Sequence, residues 1–202
     1  DVLPLYGELA PGEQDAALSP ARPGRRKVVL ATNIAETSLT IEGVRVFVDT
    51  GLERRSVFDP VTGMSRLETQ RISRASAEQR AGRAGRTASG VCYRLWSESA
   101  DRSLAAYAVP EIAVADLVPL ALDLAAWGTP AGELRWLDAP PAATLAGARD
   151  LLVRLGALDA SGRITPHGQA MQALAAHPRL AHMLLKGHAH GAGAAAARLA
   201  AL

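Results

Sequence analysis

Cysteine is almost missing from these 202 residues. The single thiol, Cys92, excludes an internal disulfide framework and fits a reducing, cytoplasmic compartment. Lysine is nearly as scarce: of 22 basic residues only Lys27 and Lys186 are lysines, and the rest are arginine. No apolar run free of charges or breakers reaches the roughly 18 residues that suggest a membrane span. The alanine-rich stretch from Gly191 to Leu202 is too weakly apolar and carries Arg198. There is no internal repeat. The first residue is Asp1 rather than methionine, as expected of a fragment or a processed form, so the lack of a signal peptide carries no weight.

What is present is a chain 49% hydrophobic, enough for one large domain or two small ones. Net charge is only +2, but the placement of charge is uneven. Between Arg54 and Arg86 eight arginines face three acids, Asp59, Glu68 and Glu78. A local excess of that kind attracts phosphate anions, although a solvated charged surface explains it equally well.

The pattern predicts strands at Asp1–Tyr6, Lys27–Ala31, Val44–Asp49 and Val91–Trp96, with helices over Pro11–Leu18 and Ser76–Arg86 and a helical turn at Asn33–Leu39. Strands alternating with helices imply an α/β fold with a parallel sheet. Arg55–Phe58 and Met64–Thr69 flank Asp59-Pro60-Val61-Thr62-Gly63, the chemistry of a hairpin turn. After about Ser97 the character changes to helices: Glu111–Trp127 despite Pro119, Ala142–Leu155, Pro166–Ala175 and Pro178–Gly187. Two short runs around Asp159-Ala160-Ser161-Gly162 suggest a small hairpin among them, a winged-helix-like arrangement, and the boundary is expected near residues 98–103.

The most specific segment is Ser76-Ala-Glu-Gln79-Arg80-Ala-Gly82-Arg83-Ala-Gly85-Arg86. Ser76 and Gln79 fit a capping box at a helix start. At about 100° per residue, Gln79, Arg83 and Arg86 fall within about 60° of one another. Gly82 and Gly85 each cost a helix about 1 kcal/mol against alanine, a cost that calls for close approach of a backbone or ligand. Two guanidiniums and an amide on a thinned face suit a nucleotide's phosphates, with the arginines as fingers on the γ-phosphate and Gln79 orienting a water. An exposed basic helix of no catalytic role has the same spacing. The second segment, Val28 to Glu42, places Thr32 and Asn33 directly after a buried strand, where α/β sheets bind ligands. Their hydroxyl and backbone N–H groups suit phosphate oxygens, or one of them simply caps a helix.

Together the two segments resemble motifs V and VI of superfamily 2 helicases of the DEAH-box group: ATNIAETSLTIEG is similar to motif V, QRAGRAGR to motif VI, and LPLYGEL to a strand and turn upstream. FDPVTGMSRLETQRISRAS, LWSE and WLDAPP resemble the bacterial HrpB-type members. The resemblance covers nearly the whole chain. It implies a second RecA-like domain over residues 1–100, a winged-helix-like domain over 101–170 and the start of a helical ratchet-like extension over 171–202. It implies an ATP-dependent helicase in which Arg83, Arg86 and Gln79 act at the γ-phosphate of ATP. Glu42, where the family has aspartate, and Thr40 would lie at the nucleotide, and Leu18 stands where related enzymes carry an adenine-stacking aromatic. Thr32 and Asn33 would contact single-stranded nucleic acid, RNA by analogy, and the hairpin with Arg54 and Arg55 would lie against the strand. No GxxxxGK[ST] loop and no DEAH carboxylate pair occurs here. The resemblance therefore assigns the phosphate lysine and the Mg²⁺ ligands to a preceding RecA-like domain, and this chain alone is expected to be inactive.

The C-terminal half has no basic recognition helix, so sequence-specific DNA reading is not expected of it. His167, His177, His182, His188 and His190 have no cysteine or clustered carboxylate to complete a metal site, and Trp127 and Trp136 are expected as core anchors. The rival to a motor is a non-catalytic nucleic-acid-binding module whose arginines grip backbone phosphate. A sequence-specific winged-helix factor is a third reading.

Overall fold

Four short apolar runs form two parallel pairs in the computed structural model, which describes residues 1–37, 41–59, 62–86 and 88–201. β1 (Val2–Leu5) pairs with β2 (Val28–Ala31), Val2 opposite Val28, and β3 (Val46–Asp49) pairs with β6 (Val91–Arg94), Phe47 opposite Cys92. Parallel pairing needs a crossover, and α1 (Pro11–Leu18) supplies the first. Pro11 is tolerated there because a helix's first N–H groups have no intrahelical partner. The other end of α1 is closed by Lys27, whose ammonium donates to the Ala17 carbonyl at 2.8 Å and to that of Ser19. Burial lowers the Lys27 pKa, and nearby Glu42 offsets part of that shift. Leu5, Ala17 and Ala35 form the core beneath these strands. Their outward positions (Val28, Leu30, Val46, Val48, Val91 and Tyr93) are apolar and each more than half exposed.

β4 (Leu52–Asp59) and β5 (Met64–Arg71) form a two-stranded ribbon, longer at both roots than the turn chemistry alone predicts. At its tip the Gly63 N–H donates to the Asp59 carbonyl at 2.8 Å. Pro60 and Val61 lie outside the described residues. Gly51, just before β4, has φ +72, and a Cβ there would fall 2.7 Å from the Trp96 ring. Only glycine allows the indole to rest on this backbone.

The arginine helix differs from its expected span. α3 runs Arg74–Ala81, not Ser76–Arg86. Its cap is Ser73, which accepts from the Ser76 N–H at 3.1 Å, so the expected Ser76–Gln79 capping box does not form. Gly82, Arg83 and Ala84 continue as tight turns, with Arg83 N–H reaching Arg80 and Ala84 N–H reaching Ala81. After α4 (Glu98–Arg102) the chain returns to α3: the Arg74 and Ala75 N–H groups donate to the Ala105 and Ala106 carbonyls, and Leu104 packs with Ile72 and Ala77. The first compact unit accordingly comprises Asp1–Val57 and Ser65–Val109, ending later than the expected boundary near residues 98–103.

The second unit comprises Phe58–Met64 and Pro110–Leu202. Its expected first helix is split. A 3-10 turn covers Glu111–Ala113, then α5 (Val118–Trp127) starts afresh with Pro119 in its first turn and the Asp116 carboxylate on the Val118 N–H. α5, α6 (Ala142–Arg154), α7 (Pro166–Gln172) and α8 (Pro178–Ala189) enclose a core that includes Leu122, Leu124, Leu152, Met171 and Ala181. α9 (Gly193–Ala200) follows. The small hairpin reduces to one antiparallel bridge, Leu158 with Ile164. Its turn is organised by Asp159, whose carboxylate accepts from Ser161 and Arg163, lowering its pKa to about 2. Trp136 packs on the core and donates to the Ala131 carbonyl at 2.8 Å, but Trp127 is 73% exposed and anchors nothing. No helix among the described residues is long and apolar enough to cross a membrane.

Where α7 meets α8, His167 Nε2 lies 3.0 Å from His182 Nδ1. Burial first, then His182 and Lys186, lowers the His167 pKa below the usual 6.5. The folded chain therefore resists a proton that the unfolded chain accepts. The linked stability is complete above the unfolded value and is lost as pH falls through the folded one. Thermal unfolding followed from about pH 8 to about pH 5 should show a midpoint that drops on the acid side, and His167→Gln should flatten that dependence. An unchanged slope in the variant would remove the pair from the account.

Candidate functional site

Glu36, on the short helix α2 (Ile34–Thr37) that follows β2, ties the two sequence-specific segments together. Its carboxylate accepts from the Ser76 hydroxyl and, at 2.9 Å, from Arg80 Nε. Its backbone carbonyl accepts from a terminal nitrogen of Arg83. Arg80 extends further, with Nη1 3.2 Å from Asp49 Oδ1 at the end of β3 and 3.1 Å from the Leu52 carbonyl. The Gly51 N–H adds a bond to Asp49 Oδ1 at 3.0 Å. The group is nearly dry: side-chain exposures are 9% for Arg80, 12% for Glu36 and 1% for Asp49. One guanidinium compensates two carboxylates, and its fixed fork is what allows both contacts at once.

Arg80, Glu36 and Asp49 were not singled out from sequence as site residues. A signal existed for Arg80, because Ala77 and Arg80 lie three residues apart on one face of α3 and both are buried. An arginine on the same face as a buried alanine points inward toward a partner. Asp49 closes an apolar strand, the usual place for a polar site residue in such folds.

Above this network, at the carboxyl ends of β1, β2 and β3, lies an open cleft of about 510 Å³. Thr32, Asn33 and Arg54 line it, with Glu36, Asp49 and Arg80 at its base. All three of the first group are exposed. Arg55 is not there. Strand alternation turns it to the other face of β4, where its guanidinium donates to the Val109 carbonyl.

The arginine turn forms a second face, outside the cleft lining. Gln79 and Arg86 are exposed, whereas Arg83 is half-buried against α2. The expected single outward stripe is thus one exposed amide, one exposed guanidinium and one guanidinium held on the protein's own backbone. The reason is local: the helix ends at Ala81, so the 100° spacing does not extend to Arg83 and Arg86. Gly82 and Gly85 lie past the helix and carry no helix-interior cost. A Cβ at Gly85 would meet nothing within 4 Å, which leaves this surface open to approach from outside.

Glu42 is exposed beside Lys27, and its N–H donates to the Leu18 carbonyl at 3.3 Å. That bond brings the two candidate nucleotide-side residues together. Leu18 itself is partly buried against Leu5 and Ala17. Thr40 lies outside the described residues.

Residues 1–88 match the helicase conserved C-terminal domain family, and residues 148–175 match the winged-helix helicase-associated domain, HA2. The ATP-dependent RNA helicase HrpB of Escherichia coli is 49% identical over 205 residues, covering 100% of this chain and 25% of that protein. A pre-mRNA-splicing factor ATP-dependent RNA helicase of Schizosaccharomyces pombe, prp22, is 45% identical over 91% of this chain and 16% of its own length. The crystal structure of the Escherichia coli DEAH/RHA helicase HrpB superimposes with a TM-score of 0.90 at 50% identity, over 100% of this chain and 26% of that one. A second structure, of the E. coli DExH-box NTPase HrpB, gives 0.86 at 48% identity over 99% of this chain and 25% of that one. The chain thus spans a quarter or less of the curated relatives it matches. It belongs to the C-terminal region of the HrpB-type DEAH/RHA helicases, with their RecA-like helicase C-terminal domain followed by HA2 winged-helix sequence.

Proposed function

We propose that this chain is the C-terminal motor half of a cytoplasmic ATP-dependent RNA helicase, supplying arginine fingers to ATP bound on a preceding RecA-like domain and gripping the nucleic-acid backbone. The observation that carries the reading is the arginine turn. Arg86 and Gln79 are exposed there, while the buried Arg80 and Glu36 fix the turn from behind. The donor set fits a triphosphate: guanidiniums and an amide donate hydrogen bonds to anionic oxygens. It does not hold a divalent metal, and the Mg²⁺ that accompanies ATP would be held by the preceding domain. Bound ATP·Mg²⁺ supplies the scissile phosphoanhydride. Arg86 and Arg83 stabilise charge at the γ-phosphate, and Gln79 orients the attacking water. Arg83 leaves the Glu36 carbonyl to do so. Glu42 reaches the ribose from beside Leu18. Because Leu18 is partly buried in the core, base stacking is weak and nucleotide selectivity loose.

The cleft takes the single strand. Thr32 and Asn33 bind phosphate at the strand end and Arg54 adds charge from the ribbon.

Arg54→Ala in the full-length enzyme should weaken single-stranded RNA binding and lower the slope of log affinity against log salt by about 1. Arg55→Ala should leave that slope unchanged, because its guanidinium already serves Val109. Equal effects of the two would contradict the assignment of the cleft. The motor reading as a whole is tested by the ATPase of the full-length enzyme with and without single-stranded RNA. Stimulation supports it. ATPase that is absent or indifferent to RNA favours the non-catalytic binding module.

A further inference from the structure

Trp96, two residues past β6, has no place in the cleft lining or the arginine turn, yet its ring is fixed from several sides. Its Nε1 donates to Asp101 Oδ1 at 2.9 Å, and Arg94 Nη1 donates to the same oxygen at 2.9 Å. The Arg94 guanidinium stands 5.7 Å from the ring centroid, within cation–π range. The indole also packs on the cluster of Ile72, Ala77 and Leu104.

The ring closes on Gly51. A Cβ built there would fall 2.7 Å from Trp96 Cε3, 3.1 Å from Cζ3 and 3.2 Å from Cδ2. Both polar groups of Gly51 are engaged: its N–H donates to Asp49 Oδ1 at 3.0 Å, and its carbonyl accepts from the Ile72 N–H at 3.1 Å. The second oxygen of Asp49 is buried with no hydrogen-bond partner among the described residues. Oδ1 alone therefore holds this carboxylate, between the Gly51 N–H and Arg80 Nη1. Arg80 carries the constraint to the Glu36 carboxylate, and the Glu36 carbonyl holds Arg83.

We infer that Trp96 is a positioning residue for the arginine turn. Its ring holds the left-handed bend at Gly51, the bend aims an N–H at Asp49, and the fixed carboxylate places Arg80 between Asp49 and Glu36. That sets where α2 sits on α3, and so the point from which Arg83 reaches the γ-phosphate. A nearly dry network passes on such a displacement, because its members have no water to turn to instead. Trp96 acts through Gly51 and touches no reacting atom. The inference rests on the proposed role of the arginine turn at ATP.

The test uses the full-length enzyme with Trp96→Leu, Trp96→Phe and Gly51→Ala, read by RNA-stimulated ATPase and by amide hydrogen exchange at Gly51 and Arg83. Trp96→Leu removes the flat ring, and Gly51→Ala pushes a methyl into it. Each should lower kcat roughly tenfold with the KM for ATP within about twofold, because an arginine at the γ-phosphate acts on charge that develops in the transition state. Combining the two should cost no more than either alone, since both break one contact. Trp96→Phe keeps an aromatic face on Gly51 and loses only the bond to Asp101, so its kcat should stay within about twofold of the parent. Exchange at Gly51 and Arg83 should accelerate in the leucine and alanine variants while β1 and β2 stay protected. Unchanged kcat in Trp96→Leu overturns the proposal, as do losses that multiply in the double variant or a phenylalanine as damaging as leucine. Acceleration spread evenly over the first unit also overturns it, because that marks a loosened fold rather than a displaced turn. If Trp96→Leu does not fold, Gly51→Ala and Trp96→Phe carry the same expectations. If the parent enzyme lacks RNA-stimulated ATPase, the motor reading fails separately. Exchange at Arg83 then still decides the positioning, and an Arg83 amide unaffected by loss of the ring refutes it.

Discussion

Replacing Arg86 by alanine in the full-length enzyme should lower the ATPase kcat by about 10³–10⁵, the range an arginine finger contributes in phosphoryl transfer. The residue is exposed, in a turn beyond the end of α3. Truncating it removes no core contact, so the thermal midpoint should barely move, and binding of single-stranded RNA should persist because the cleft does not include this residue. Arg86→Lys should not restore the rate, since an ammonium cannot reproduce a planar two-pronged donor. Arg83→Ala should be as damaging to turnover but should also loosen the packing of α2 on α3, because Arg83 is bonded to the Glu36 carbonyl. Steady-state ATPase with saturating RNA, alongside RNA titrations, separates these cases. If RNA binding collapses while ATPase survives, the arginines serve the nucleic acid and not the nucleotide.

Arg80→Ala should have the largest effect on stability of any single change in the first unit, about 3–5 kcal/mol, the usual cost of stranding a buried charge. Two carboxylates depend on this guanidinium. Without it Glu36 keeps the Ser76 hydroxyl and Asp49 keeps the Gly51 N–H, which leaves two buried acids facing one another. The second Asp49 oxygen is already buried with no hydrogen-bond partner among the described residues, so no spare donor stands ready. Arg80→Lys should recover only part of the loss, because one ammonium cannot reach Glu36, Asp49 and the Leu52 carbonyl together. Denaturant titration of the variants reads this directly. A midpoint within experimental error of the parent would mean that the network is incidental to the fold.

Local pattern carried most of the architecture. Short continuous apolar runs located β1, β2, β3 and β6, and Pro and Gly placements located α1, α6 and the ribbon turn. Boundaries failed where tertiary contacts outweigh periodicity. Ser76 looks like a cap by spacing, but its hydroxyl is taken by Glu36 and the cap passes to Ser73. The helix expected to continue to Arg86 stops at Ala81, so an angular relation computed for a helix did not describe Arg83 and Arg86. The same limit applies to Arg55, which adjoins Arg54 in sequence but lies on the opposite face of a strand. Partner identity across long separations was least legible. Nothing local announces that Glu36 meets Arg80, or that Asp116 meets His177 and Arg179. Trp127 shows the converse: a tryptophan at the end of an apolar helix reads as an anchor, yet the αL turn at Gly128 ends α5 with its ring outside.

The most direct test is a structure of the full-length enzyme with a non-hydrolysable ATP analogue, Mg²⁺ and a single-stranded RNA. Guanidinium nitrogens of Arg83 and Arg86 should lie about 2.7–2.9 Å from γ-phosphate oxygens. Gln79 should lie beside the attacking water, and the Arg83 bond to Glu36 should be released. Finding Arg83 still on the Glu36 carbonyl, with Arg86 on an RNA phosphate or in solvent, would contradict it.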